Sequence, residues 1–303
     1  MMKLWKETFH DSKEYVELVF DTYFSESFTP NIYMGEKLVA AMMAIPYEMS
    51  LTSGDSSKSL KALYLCGLAT VPQCRCQGLM GKLIEEIDQV AREEKFDLLF
   101  LIPADEHLRN YYKKFGFEDA FPICVNKYHE NLKKSKEKSK FARIEYFNSV
   151  VSLLENIKKS GMANFDDIFE FINQEESVDG YVGVVHSRKD LFAAIDECFI
   201  SRGGIYLGYD EYEKIKGLIF LYDKEPVEIY FIKIRDEALR EEFLERVASD
   251  FPKREILIKE HCSSSCSEIS SGDFRGMMKF LKNSDSGVEN CKILSGEISL
   301  MLD

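Results

Sequence analysis

The sequence predicts an α/β protein made of two similar units, each a mixed twisted sheet with helices on both faces, the second unit being degenerate. Three observations lead there. Strand-sized apolar runs alternate with stretches of helical spacing along the chain. The order hairpin, strand, helix, strand occurs between residues 31 and 102 and again between 204 and 259. A Lys-rich stretch at 133–140 lies between the two occurrences and reads as a solvated connector. We therefore divide the chain into a first domain at 1–130, a basic linker at 131–141 and a duplicated second domain at 142–303.

Each element has its own warrant. Asp11 with Glu14 three residues on resembles a capping box with Asp11 as N-cap. Tyr15, Val16, Val19, Phe20 and Tyr23 follow at helical spacing, so a helix is predicted over 12–25. Residues 31–34, the turn Gly35-Glu36-Lys37 and the apolar run 38–49 form a hairpin, and 50–59 a polar loop. A strand over 60–71 stops at Pro72, a loop follows, and Leu79, Leu83, Ile84, Ile87 and Val90 share one helical face. The stretch 97–103, apolar from Leu98 onward, suits a parallel strand covered on both sides, which makes 65–102 a right-handed crossover. A helix starts at Asp105 or Glu106, Gly116-Phe117 breaks it, and a strand covers 121–128. The second half reads as helices at 149–159, 165–174 and 188–201, strands at 204–209, 217–222 and 227–234, a helix at 237–249 and a strand at 254–259.

Composition narrows the function. With 303 residues, 45% hydrophobic and 30% charged, the chain has the balance of a folded soluble protein with room for two cores. Its apolar runs fall short of the roughly 18 residues a membrane span needs. The N-terminal residues lack the apolar stretch of a signal peptide, so a cytoplasmic location and no membrane partner are expected. A net charge of −13 argues against nucleic acid as a partner and suits a cationic amine. The eight cysteines are scattered in apolar contexts and read as reduced thiols. Cys74-Arg75-Cys76 is too tight for a zinc pair. His261, Cys262 and Cys266 offer three ligands where structural zinc takes four, so no metal is expected and that segment reads as a serine-rich loop.

The segment from Thr70 to Leu83 carries the chemistry: a strand stops, a turn holds Gly78, and a helix begins. Exposed N–H groups of a first helical turn converge on one point, and the helix dipole favours negative charge there. Gly78 lets the backbone come close to a pyrophosphate, and Arg75 and Lys82 add positive charge.

Ala69-Thr70-Val71-Pro72-x-x-Arg75-x-x-Gly78-Leu79-Met80, followed by Asn110-Tyr111-Tyr112-Lys113-Lys114-Phe115-Gly116-Phe117, resembles the GNAT superfamily of acetyltransferases over about residues 1–130. Within it, the chain is similar to relatives of the enhanced intracellular survival acetyltransferases, which carry Arg-x-x-Gly-Leu and a second GNAT-like domain. The chain reads as a short member, ending before their further C-terminal domain. Met80 stands where Gly or Ala is usual, and Asp105 where many members have Asn. The resemblance implies acetyl-CoA as co-substrate, without a metal, and acetyl transfer to a primary amine on a small molecule or peptide. It implies that Ala69, Thr70 and Val71 bind the pantetheine arm. Arg75, Cys76, Gln77, Gly78, Leu79, Met80 and Gly81 then form the pyrophosphate cradle. Tyr112 is implied as the general acid, the C-terminal carboxylate of Asp303 as the group that reaches the amine, and a homo-oligomer as the assembly; Glu48 is a second candidate base. Two other readings stay open: a non-catalytic acyl-CoA-binding or sensing module, and a tandem scaffold for protein partners. In the second unit Arg235, Asp236 and Glu237 replace the Gly loop, and their carboxylates repel phosphate. That unit is expected to bind no coenzyme and to shape the acceptor pocket.

Overall fold

The computed structural model describes residues 1–53, 56–128, 143–160, 165–174, 181–234, 237–261, 274–281 and 295–297. The first half runs α1 (Met2–Phe9), α2 (Lys13–Tyr23), β1 (Asn31–Met34), β2 (Lys37–Ser53), β3 (Ser56–Thr70), α3 (Leu79–Glu93), β4 (Leu98–Leu101), α4 (Glu106–Lys113) and β5 (Glu118–Tyr128). The second runs β6 (Arg143–Phe147), α5 (Val150–Ser160), α6 (Phe165–Ile172), β7 (Tyr181–Val185), α7 (Arg188–Ile200), β8 (Gly203–Tyr209), β9 (Ile215–Tyr222), β10 (Val227–Ile234), α8 (Glu237–Asp250), β11 (Ile256–His261), β12 (Phe274–Phe280) and β13 (Ser295–Glu297).

Strand pairing bears out the repeated order. In the first half β2 pairs antiparallel with β1 and β3, and β3 pairs parallel with β4 across α3. In the second, β9 pairs antiparallel with β8 and β10, and β10 pairs parallel with β11 across α8. The sheets are continuous, in the order β13-β7-β2-β3-β4-β12-β5-β11-β10-β9-β8-β6, with β1 on β2.

Alternation along the strands feeds a core on each face. On β3, Ala62 and Tyr64 join Trp5, Val16 and Val19 from α1 and α2, whereas Leu63 and Leu65 join Leu83, Ile84 and Ile87 from α3. The second half repeats this: α5, α6 and α7 cover one face, around Phe220, and α8 covers the other, around Phe243. β4 is buried along its whole length, as its unbroken apolar run requires.

Five described elements escape the sequence reading: α1, β6, β7, β12 and β13. β7 runs antiparallel to the far end of β2, and β12 inserts between β4 and β5, antiparallel to both. Three second-half strands, β7, β12 and β13, thus belong to the first half's sheet, and β5 is shared through its pairing with β11. The N-cap of α2 is Ser12, whose Oγ accepts from the Tyr15 N–H at 3.1 Å; Asp11 instead accepts from Trp5 Nε1 at 2.7 Å. Helix geometry decides this, since a Tyr15 N–H at the third helical position is reached from Ser12. Cys66, Cys74, Cys76 and Cys198 are free, but Cys124 is disulfide-bonded, which corrects the reading of all eight cysteines as reduced. The basic stretch 133–140 lies outside the described residues.

Candidate functional site

β3 and β4 pair only from Ala62–Leu98 to Leu65–Leu101; beyond that, β3 continues to Thr70 alongside β2 alone. The register with β2 shifts between Ala41 and Met43, where Gly67 adopts φ +60°. This is a bulge built on a left-handed glycine, and it bends the strand away from its former partner. Gly67 is required twice over, because a Cβ there lies 2.0 Å from Trp5 Cζ3. The bent end of β3 therefore presents backbone donors and acceptors that β4 no longer satisfies.

After Thr70 the chain makes a short 3₁₀ turn, Pro72–Cys74, and Arg75 folds back so that its Nε donates to the Thr70 carbonyl at 3.1 Å. Cys76 and Gly78 both take left-handed backbone, at φ 60° and 74°. Gly78 is the N-cap of α3, which has no side-chain cap and no acidic residue in its first turn. By contrast α2, α4 and α7 are capped by the side chains of Ser12, Asp105 and Ser187. The first helical bond of α3 runs from the Lys82 N–H to the Gly78 carbonyl, leaving the amides of Leu79, Met80 and Gly81 without helical acceptors. On a 15-residue helix that end carries partial positive charge. Gly81 lets α3 settle on α4, since a Cβ there would meet Phe115 Cζ at 3.2 Å.

This open helix end faces a cavity of about 690 Å³, lined by Thr70, Arg75, Cys76, Gly78, Leu79 and Met80 on one side and His107, Leu108, Tyr111 and Tyr112 on the other. Among the described residues no carboxylate lines it. A second cavity of about 290 Å³ lies beside it, walled by Trp5, Phe9, Tyr15 and Tyr64 with Asp11. The two share Phe9, Leu68, Leu108 and Tyr112.

Tyr112 thus stands where the cavities meet. It is 6% exposed and packs edge-on against Tyr111 and Phe117. Burial pushes its phenol well above the ordinary value, with smaller contributions from Tyr111 and Asp105. Its helix is anchored by the buried Arg109, which donates to Asp119 at 2.6 Å and to the Phe274 carbonyl of β12 at 2.8 Å.

Of the sequence-derived candidates, Thr70, Arg75, Cys76, Gly78, Leu79, Met80 and Tyr112 line the larger cavity. Ala69 and Val71 are buried in the core below it, Gly81 lies on the inner face of α3, and Gln77 is exposed. Asp105 caps α4 through the Leu108 N–H. Glu48 is exposed on the β2–β3 hairpin, accepts from Ser59, and lines neither cavity. Asp303, Cys262, Cys266 and the His261 side chain lie outside the described residues. Among the described residues no group of three or more His, Cys, Asp or Glu side chains is placed to hold a metal, and no helix is long and apolar enough to cross a membrane. Sequence reasoning missed the walls of the smaller cavity. The signal available was Trp5, the chain's single tryptophan, on a segment with alternating apolar and charged residues.

Residues 1–120 match the family model described as acetyltransferase (GNAT) domain. Over those residues the chain is similar to the GNAT acetyltransferases. No curated protein sequence matches the chain significantly. Solved structures share its fold at low identity. A conserved protein from Enterococcus faecalis described as a probable N-acyltransferase aligns with TM-score 0.67 and 13% identity over 92% of this chain and 68% of its own. A GCN5-related N-acetyltransferase from Anabaena variabilis gives 0.65 and 16% over 92% and 69%. A third, from Kribbella flavida, gives 0.59 and 13% over 92% and 67%. That match supports acyl-transfer chemistry generally for residues 1–120. In the second half, Lys233 at the end of β10 donates to the Ile172 and Gln174 carbonyls at 2.7 and 2.9 Å. The C-terminal end of α6 thus lies against the strand end whose counterpart in the first half opens onto the larger cavity.

Proposed function

We propose that the chain is an acetyl-CoA-dependent N-acetyltransferase that transfers the acetyl group directly to a primary amine. The observation that carries this reading is the convergence on one cavity of an uncapped helix N-terminus, a strand end released from its neighbour, and a buried tyrosine. Each matches one part of the co-substrate: amides of residues 79–81 for the pyrophosphate, the edge of β3 around Thr70 for the pantetheine amides, and Tyr112 for the sulfur. Among the described residues no carboxylate of the lining opposes the helix field. Met80, where the resemblance has a smaller residue, is among the residues that line this cavity.

Acetyl-CoA supplies a thioester whose carbonyl carbon accepts the amine nitrogen while the electron pair of the C–S bond leaves with sulfur. Tyr112 holds its proton at neutral pH, and its hydroxyl has no protein partner among the described residues. Free thiols titrate near about 8.5, well below this phenol, so complete proton transfer to the thiolate runs uphill. Hydrogen-bond donation to the developing charge is the role that its position and ionisation support. The base that takes the amine proton is assigned, on the resemblance alone, to Asp303.

Mixing the protein with acetyl-CoA and a panel of amines should release free thiol. Tyr112→Phe should reduce turnover by about 10²–10³-fold, as for loss of one preorganised hydrogen-bond donor, while coenzyme binding persists. Tight acetyl-CoA binding with no turnover on any amine would favour a sensing module instead.

A further inference from the structure

We infer that the smaller cavity takes a monoamine, one ammonium group carried on a flat apolar body in the manner of an arylalkylamine, and that Asp11 recognises its charge. This deepens the acyl-transfer reading and rests on it for the identity of the site. Five aromatic residues, Trp5, Phe9, Tyr15, Tyr64 and Tyr112, wall the cavity, and among the described residues Asp11 is the one charged residue in its lining. Trp5 Nε1 holds Asp11 Oδ2 at 2.7 Å, fixing the carboxylate and leaving Oδ1 without a protein partner among the described residues. Because Ser12 caps α2, Asp11 is not consumed by the helix. Aromatic faces beside a single carboxylate suit a cation joined to a ring, through cation–π attraction and apolar burial.

Size and charge both argue against a polycation. About 290 Å³ lies at the lower limit of small-molecule sites. A polyamine or amino sugar would bring several ammonium groups to one carboxylate, and each further buried charge would go unpaired. The cavity ends at Tyr112, so an amine seated here is directed toward the junction with the larger cavity.

The test is calorimetric titration of the full-length protein, with coenzyme A present, using three probes: 2-phenylethylamine, 2-phenylethanol and spermidine. The amine should bind at least about tenfold more tightly than the alcohol of the same shape, and than spermidine, as a charged hydrogen bond implies. Asp11→Asn keeps an acceptor for Trp5 and removes the charge. It should weaken 2-phenylethylamine about 10–100-fold and leave acetyl-CoA binding unchanged. Equal or tighter binding of spermidine, no binding of 2-phenylethylamine, or an unaffected Asn variant would each overturn the inference. Should that variant fail to fold, the amine-against-alcohol comparison on the wild type decides alone. Thiol release, measured separately, distinguishes the two readings. Selective amine binding without turnover overturns acyl transfer and not the ligand class, whereas turnover confined to polyamines does the reverse.

Discussion

Gly67 and Gly78 share left-handed backbone, at φ +60° and +74°, but differ in what surrounds them. An L-residue in that region costs about 1–2 kcal/mol. At Gly78 nothing lies within 4 Å of an added Cβ, so Gly78→Ala should lose only that conformational amount. At Gly67 the Cβ would land 2.0, 2.6 and 2.8 Å from three atoms of the Trp5 ring. That ring is 6% exposed, flanked by Phe9 and Phe20 with centroids at 5.4 and 5.7 Å, and tied to Asp11. It cannot swing aside without losing those contacts, and overpacking of this kind costs a further 1–3 kcal/mol or so. Gly67→Ala should therefore be destabilised by about 2–5 kcal/mol in total, read by urea unfolding with unchanged m. In a Trp5→Ala background the steric part should vanish and the two glycine substitutions should cost the same. Equal losses in the wild-type background, or an excess at Gly67 that survives removal of Trp5, would show that the tryptophan does not set the bulge.

Other predictions bear on the helix end and on pH. Met80→Glu places an acid in the first turn of α3, where there is none; it should leave stability level or raise it by about 0.3–1 kcal/mol. The same change should weaken acetyl-CoA binding at least about tenfold, so melting temperature and affinity should move in opposite senses. Because burial raises the Tyr112 phenol, kcat should show no loss attributable to Tyr112 between pH 7 and about 10, the ordinary phenol value. A falling limb near pH 8 that disappears in Tyr112→Phe would contradict this. Burial is the largest single influence on the carboxyls of Asp88 and Asp119 and raises them. Bonds from Arg92 and Lys279 to the first, and from Arg109 and Lys113 to the second, outweigh it and leave both lowered. Their contribution to stability is thus complete above about pH 4 and fades as pH falls through the lowered values. Urea midpoints measured from pH 6 to 2 should decline less steeply in Asp119→Asn than in the wild type.

Much of this architecture is legible in the sequence because local signals and tertiary placement agree. The crossover around α3 announces itself through an apolar strand, a Pro-Gly loop and a helical face. Gly78 marks the helix start because only a residue tolerant of positive φ continues the chain there. Tyr112 follows from its place in the aromatic segment before Gly116. What escaped depends on distant partners. β12 is a seven-residue segment whose meaning comes from pairing with strands about 150–180 residues earlier, which no local pattern records. α1 has eight residues, no side-chain cap and no acid in its first turn, so its stability comes from packing Leu4 and Trp5 against the sheet. Asp11 and Ser12 are adjacent residues with equal capping propensity; the position of the Tyr15 N–H selects Ser12, and Asp11 bonds Trp5 instead.

The insertion of β12 has a consequence for how the protein is made. When residue 128 leaves the ribosome, β4 and β5 lack the strand that lies between them, and both carry unpaired backbone edges. At typical elongation rates of about 5–20 residues per second, that gap persists for roughly 10–30 s before Phe274–Phe280 emerges. The acyl-transfer unit, although encoded first, is completed late, and a nascent chain stalled in between offers two sticky β edges to chaperones or to other copies of itself.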